Sequence, residues 1–226
     1  MGAQVSDKPL SSSQRALKEL RDLIFSGELS AGSDHLESEL AETLNMSRTP
    51  VREALLTLEA QGLLEMRPRK GVRILPISPT DMAEIYDVLT ELESHAAAKA
   101  AEGHLTAADL TVLAEAIDKM DRAIAASDLE AWASADESFH EELVRLCGNS
   151  RIHAIYDMMS DQVRRARATT LLLRPLPTRS NEDHRKVYQA IKDGDPKTAR
   201  DTHSAHRRYA KEIIVAILEK HRLRYV

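Results

Sequence analysis

The chain predicts a mostly α-helical fold in two parts: a small N-terminal domain that ends in a β-hairpin, and a larger C-terminal helical bundle. Three observations carry that expectation. Its 226 residues include only 8 Gly and 8 Pro beside abundant Ala, Leu, Glu and Arg, a composition that favours helices. Apolar residues recur three and four positions apart along most of the sequence. The one credible piece of strand material is the β-branched run GVRIL around residue 73.

Length and a hydrophobic content of 42% allow a sizeable core in one large or two small domains. A single cysteine, Cys147, excludes a disulfide framework within the chain. No charged start followed by an apolar run marks a signal peptide, and no apolar stretch approaches the roughly 20 residues needed to span a bilayer. The expected location is the cytoplasm, without membrane contact.

Taken in order, residues 1–12 are polar and Ser-rich and read as a flexible arm. Leu17, Leu20, Leu23 and Ile24 give a first helix, which the run Ser26-Gly27-Glu28 ends. Leu36, Leu40, Ala41 and Leu44 give a second, and Asn45 suits the turn after it because it tolerates a left-handed backbone. A third helix starts at once. Ser47 is placed to cap it, and Pro50 falls in its first turn, where a missing N–H is not needed. Val51, Leu55 and Leu58 form its buried stripe and leave Arg48 and Arg52 one turn apart on a neighbouring face. Beyond Gly62, LLEMRPRKGVRILPI reads as two short strands around a tip carrying Pro68 and Gly71. Three helices with a tight turn between the last two, followed by a cationic hairpin, make a winged helix-turn-helix over residues 13–75.

The charge pattern refines this. Residues 1–75 hold 10 Lys+Arg against 11 Asp+Glu, so the domain is not basic as a whole. Its cations are localised: Arg48, Arg52, Arg67, Arg69, Lys70 and Arg73 fall on the third helix or the hairpin, where a local cluster can meet a phosphate backbone. A merely solvated basic face would not call for Ser, Thr and Arg together at a helix start, the place from which DNA is read.

PISPT at 76–80 is the expected linker. Six segments with helical spacing follow, at 81–102, 106–126, 128–147, 150–173, 178–192 and 195–222, and predict an antiparallel bundle of six or seven helices over 81–226. Asp195-Pro196 joins a capping residue to a proline at the first helical position.

In this second region Asp136 and His140 stand at i and i+4, so both side chains share one strip of a helix. His184 and His206 lie on two later helices that a bundle can turn inward, completing a three-His, one-Asp set suited to Zn, Ni, Mn or Fe. With 9 His in the chain, chance pairing is the competing reading, and His203 is near enough to His206 to be a rival ligand. Arg164, Arg165, Arg167, Arg174 and Arg179 form a cluster that would suit a small carboxylate beside a metal, or else a solvated face. Trp132, the only Trp, reads as a packing residue.

The segment ELAETLNMSRTPVREALLTLEAQGLL with RPRKGVRIL resembles the DNA-binding domain of GntR-family transcriptional regulators. DESFHEELV, RSNEDHRKVYQAIKDGD and the stretch from Ala199 to His206 resemble the FadR-type (FCD) ligand-binding domain of the same family. Through this resemblance DNA contacts fall on Ser47, Arg48, Thr49 and Arg52, with Gly71 at the wing tip beside Arg69 and Lys70, which the charge pattern assigns to DNA. Metal ligands fall on Asp136, His140, His184 and His206. Two positions depart from the pattern: Ser38 stands where many relatives carry an Arg that contacts DNA, and Leu89 where many carry an Arg in the first helix of the ligand-binding domain, so Arg164, Arg165 or Arg179 would have to hold the effector. The implied protein is a homodimeric regulator, most often a repressor, that binds a palindromic double-stranded operator and answers to a small organic acid beside a divalent metal, zinc first.

Two other readings stand beside it. The metal itself could be the signal. A metal-dependent hydrolase with a docking domain is the reading from another class, but the second His of a zinc-protease helix would fall at 144, where Val144 stands, and no P-loop, nucleophile elbow or glycine-rich dinucleotide turn is present. No enzyme activity is expected.

Overall fold

The computed structural model describes residues 10–221, which divide into two compact units on either side of the Pro76-Ile77 bond. The first unit runs α1 (Ser12–Ser26), β1 (Asp34–His35), α2 (Glu37–Thr43), α3 (Arg48–Ala60), β2 (Leu64–Arg67) and β3 (Gly71–Ile74). The arm expected over 1–12 lies outside the described residues as far as residue 9. From there Ser11 already caps α1: its hydroxyl accepts from the Gln14 N–H, and the Gln14 side chain accepts from the Ser11 N–H.

The helical stripes of this unit meet in one core. Leu20 and Ile24 of α1, Leu40 of α2 and Val51, Leu55 and Leu58 of α3 pack with Val72 and Ile74, the inward residues of β3. Each such side chain contributes about 1.5–3 kcal/mol on burial. Asn45 turns the chain between α2 and α3 at φ 50°, the left-handed conformation its residue type suggested. β2 and β3 pair antiparallel, with Leu64 opposite Ile74 and Arg67 opposite Gly71, as the wing required. A third strand, β1, joins the other edge of β3 through Asp34 and His35. Two residues carry no alternation to read, so this strand was invisible in the sequence.

The second unit holds α4 (Pro79–Glu102), α5 (Thr111–Ala125), α6 (Leu129–Leu146), α7 (Ser150–Thr170), a 3-10 turn (Leu171–Leu173), α8 (Thr178–Lys192) and α9 (Pro196–Lys220). α4 packs along α9, α5 along α6, and α8 against α9. Phe139, Leu143 and Trp132 centre one apolar cluster, and Tyr86, Leu89, Val144 and Ile214 another. Three helix ends differ from the sequence reading, each for a local reason. α4 begins at Pro79, inside the expected linker, because Ser78 accepts from the Asp81 N–H and Pro79 fits the first helical position. α5 begins at Thr111 because Thr106 donates its N–H and hydroxyl to Asp109 at 2.8 and 2.7 Å, closing a separate turn. α7 stops at Thr170, tightening into the 3-10 turn ahead of Pro175 and Pro177. Among the described residues no helix is long and apolar enough to cross a membrane.

Candidate functional site

In the first unit, Ser47 occupies the N-cap of α3 with an extended backbone, but its hydroxyl makes no capping bond and the residue is exposed. No acidic residue stands in the first turn of α3, so its unpaired N–H groups present partial positive charge. Arg48 and Thr49 are exposed there, and Arg48 has no ion-pair or hydrogen-bond partner among the described residues. Arg52 differs: one guanidinium nitrogen donates to both carboxylate oxygens of Glu37, at 3.0 and 3.1 Å. A groove between α2, the start of α3 and the wing is lined by Ser38, Arg48, Arg52, Arg67, Arg69 and Gly71, among others.

The four wing cations separate into two pairs. Arg67 and Arg73 both bind Asp34 of β1, at 2.9 Å and, through two nitrogens of Arg73, at 3.0 and 2.8 Å. The Arg73 hydrogen bond outweighs desolvation and, with Arg67, holds the Asp34 carboxyl down at about 2. These two cations fix β1 to the wing. Arg69 and Lys70 at the tip are exposed and unpaired among the described residues, which leaves them for an external anion.

Gly71 closes the tip at φ 81°, and a Cβ there would collide with the His35 carbonyl oxygen. Gly71→Ala should therefore destabilise this unit by about 1–3 kcal/mol and weaken DNA binding, read by thermal unfolding and fluorescence anisotropy. An unchanged midpoint would show that β1 can yield.

In the second unit, α6 supplies Asp136 and His140, α8 supplies His184 and α9 supplies His206, all buried. One ligand atom from each lies within 4.8 Å of the others. Asp136 Oδ2 is 3.8 Å from His140 Nε2, and Oδ1 is 3.6 Å from His184 Nε2, too far for direct hydrogen bonds and open enough for an ion between. His140 Nε2, both nitrogens of His184 and Nδ1 of His206 are buried without hydrogen-bond partners among the described residues. Orphaned imidazole nitrogens are costly unless something occupies them, and three imidazoles with one carboxylate are the donor set of a divalent transition metal. Burial, reinforced by neighbouring histidines and, for His184, by Arg167 and Arg207, pushes His184 and His206 well below the usual imidazole range, so both are neutral at pH 7, the form that can ligate a metal. The residues fit a metal ion.

A further buried layer supports them. Glu93 of α4, fully inaccessible, lies 2.7 Å from His140 Nδ1 and 3.5 Å from His203 Nε2. His140 turns Nδ1 toward Glu93 and leaves Nε2, which has no hydrogen-bond partner among the described residues, toward Asp136. Burial works to raise the Glu93 carboxyl, but Arg207 at 3.1 Å and His140 overcome it and hold it well below the carboxylate range. Arg167 binds Asp136 Oδ2 at 2.6 Å in the same way. His203, the rival ligand, faces Glu93 and the Ser94 hydroxyl, the latter at 3.3 Å.

A partly open cavity of about 70 Å³, measured at water centres, lies against Asp136, His140 and His206. Its wall includes Trp132, Leu171, Leu176 and Tyr209 together with Arg167, Arg174, Arg179 and Arg207. Of the arginines expected to hold an effector, Arg179 lines this cavity, over the Tyr209 ring. Arg164 lines a smaller cavity near Glu93, 3.4 Å from Glu137, and the buried Arg165 lines neither. Trp132 packs as expected and donates its indole N–H to Asn181 at 2.8 Å.

Sequence reasoning missed Glu93 and Arg207. The signal for Glu93 was a charge on the apolar stripe Ile85, Tyr86, Leu89, Ala96, Ala97, Ala100 of α4. Arg207 was marked only by its place one turn after His203.

A winged helix with free cations at its reading surface, carried on the same chain as a helical domain with a partly open cavity beside a buried polar cluster, is the organisation of a one-component transcription factor. Residues 12–74 match the family described as bacterial regulatory proteins, gntR family, and residues 84–209 match the FCD domain. The chain belongs to the GntR family of transcriptional regulators, with an FCD domain. An uncharacterized HTH-type transcriptional regulator of an unstable DNA locus in Streptomyces ambofaciens is 30% identical over 84% of this chain and 79% of its own. A probable D-xylose utilization operon transcriptional repressor from Paenarthrobacter nicotinovorans is also 30% identical, over 81% of this chain and 80% of its own. Among solved structures, E. coli McbR/YncC shares the fold with a TM-score of 0.77 at 23% identity, covering 92% of this chain and 99% of that one. The relatives and the families are transcriptional regulators, not enzymes, and some are named repressors.

Proposed function

We propose that this chain is a homodimeric repressor whose operator binding is set by a small carboxylate bound beside a metal ion, zinc first, in its helical domain. Residues 13–75 read the DNA, with Ser47, Arg48, Thr49 and Arg52 on base edges and Arg69, Lys70 and Gly71 at the adjacent backbone and groove. Two copies related by a two-fold axis meet successive major grooves of a palindromic site. Residues 81–226 carry the dimer contacts and the pocket, with Asp136, His140, His184 and His206 as ligands. The observation that carries the effector half is the pairing of orphaned imidazole nitrogens with a guanidinium-rich cavity beside them.

The ion supplies a Lewis-acidic anchor for one carboxylate oxygen, and the arginines hold the rest of the acid by charge-assisted hydrogen bonds. For the acid to change DNA binding it must prefer one arrangement of the protein over another.

The test is anisotropy on an operator selected from random DNA, with zinc-loaded and chelated protein, each with and without a panel of organic acids. An acid is expected to shift operator affinity at least fivefold, and only with metal present. A shift with metal alone would make the ion the signal. Indifference to every acid, with zinc confirmed by elemental analysis, would sink the effector reading.

A further inference from the structure

Four guanidinium groups line the cavity against one carboxylate, Asp136. Three of the four already have acidic partners. Arg167 binds Asp136 at 2.6 Å, Arg207 binds Glu93 at 3.1 Å, and Arg179 lies 3.9 Å from Asp183 while stacking on Tyr209.

Arg174 is different. It stands on the connection between the 3-10 turn and α8, and its Nε and Nη2 both donate to one neutral hydroxyl, Thr170 Oγ1, at 3.0 and 2.6 Å. No carboxylate pairs with it among the described residues. Burial brings it down to about 10, which still leaves it charged at neutral pH, and Tyr86, Arg167 and Asp136 all act on it electrostatically. Arg174 is therefore within reach of the metal ligands' charge yet has no anion of its own. A half-buried guanidinium held by a hydroxyl keeps most of its charge uncompensated, a cost that an incoming anion removes.

The rest of the wall says what joins the two anion positions. Trp132, Leu171, Leu176 and Tyr209 give the same wall apolar and aromatic surface, which suits a carbon chain. A cavity of about 70 Å³ suits a small acid.

We propose that Arg174 is the subsite for a second anionic group, so that the effector is a short dicarboxylic acid with one carboxylate at the metal and the other on the Arg174 fork. This assignment rests on the effector reading above and adds the class of ligand and the residue that selects it.

Isothermal titration calorimetry of the full-length, zinc-loaded protein tests it with matched pairs: succinate against butyrate, glutarate against valerate, adipate against caproate. At least one diacid is expected to bind about tenfold or more tighter than its monoacid, the worth of a hydrogen bond to a charged group. Arg174→Gln should remove that preference, so that the diacid binds no tighter than its monoacid. Arg174→Lys, which keeps the charge without the planar fork, should recover part of it.

Equal binding of diacid and monoacid by the parent, or a preference that survives in Arg174→Gln, would overturn the assignment of Arg174 alone. A protein that carries zinc and binds none of the six acids would overturn the effector pocket together with it.

Discussion

Arg48→Ala is expected to abolish selective operator binding. Arg48 is exposed at the first helical position of α3, free of any partner among the described residues, and a bidentate contact from such a residue to a guanine edge is worth about 1–3 kcal/mol. That is roughly fivefold to a hundredfold per half-site, compounded over two half-sites in a dimer. Anisotropy on the selected operator against scrambled DNA, at matched salt, measures it. Lys70→Ala at the wing tip provides the contrast, because a phosphate contact should weaken all DNA about equally and reduce the salt slope by about 1. Arg52→Ala should lose less than Arg48→Ala, since Arg52 must first leave Glu37. Protection of the same operator by Arg48→Ala as by the parent would sink the assignment of α3 as the reading helix.

The second large effect concerns Glu93. Glu93→Ala leaves Arg207, 2% exposed, without its partner and frees Nδ1 of His140. Removing one member of a buried ion pair costs about 3–5 kcal/mol, which in a chain of this size lowers the unfolding midpoint by roughly 6–20 °C. Metal affinity should fall with it by roughly 10–100-fold, because the carboxylate that orients His140 is gone. Glu91→Ala is the control two residues away: Glu91 pairs with Arg200 at 2.9 Å on the surface, and such a pair is worth at most about 1 kcal/mol. Scanning calorimetry of the helical unit and zinc competition titrations read both. Equal midpoints for the two variants would mean that the interior around Arg207 relaxes enough to solvate it.

Which parts of this were legible in the sequence follows from how far each signal reaches along the chain. Ser47, Pro50, Val51 and Leu55 lie within a few residues of one another, so the start, face and register of α3 could be read directly. Asp136 and His140 share a helix and were readable as a pair. His184 and His206 were different, since only packing brings α8 and α9 to α6: the expected bundle allowed them into the set, and the resemblance then matched all four positions.

Glu93 stands 43 residues before Asp136 in a run, ELES, that looks solvated. Only its position on an apolar stripe betrays it, and the same holds for β1, whose two residues are a strand solely because β3 is there to pair with them. Arg174 carried a weak signal of its own kind. The residues three and four positions away are Thr170, Leu171, Pro177 and Thr178, none acidic, so its helix neighbours offered it no counter-ion.

The contact between Arg52 and Glu37 bears on how such a protein moves along a chromosome. Any acceptor on DNA that takes this Arg52 nitrogen must first displace a carboxylate the protein already carries. A phosphate and a guanine edge can each offer that guanidinium two acceptors, so either is able to take the place of the carboxylate. In the proposed complex the cost of opening this pair is common to every sequence, so Glu37 sets a threshold that weak contacts to Arg52 do not cross.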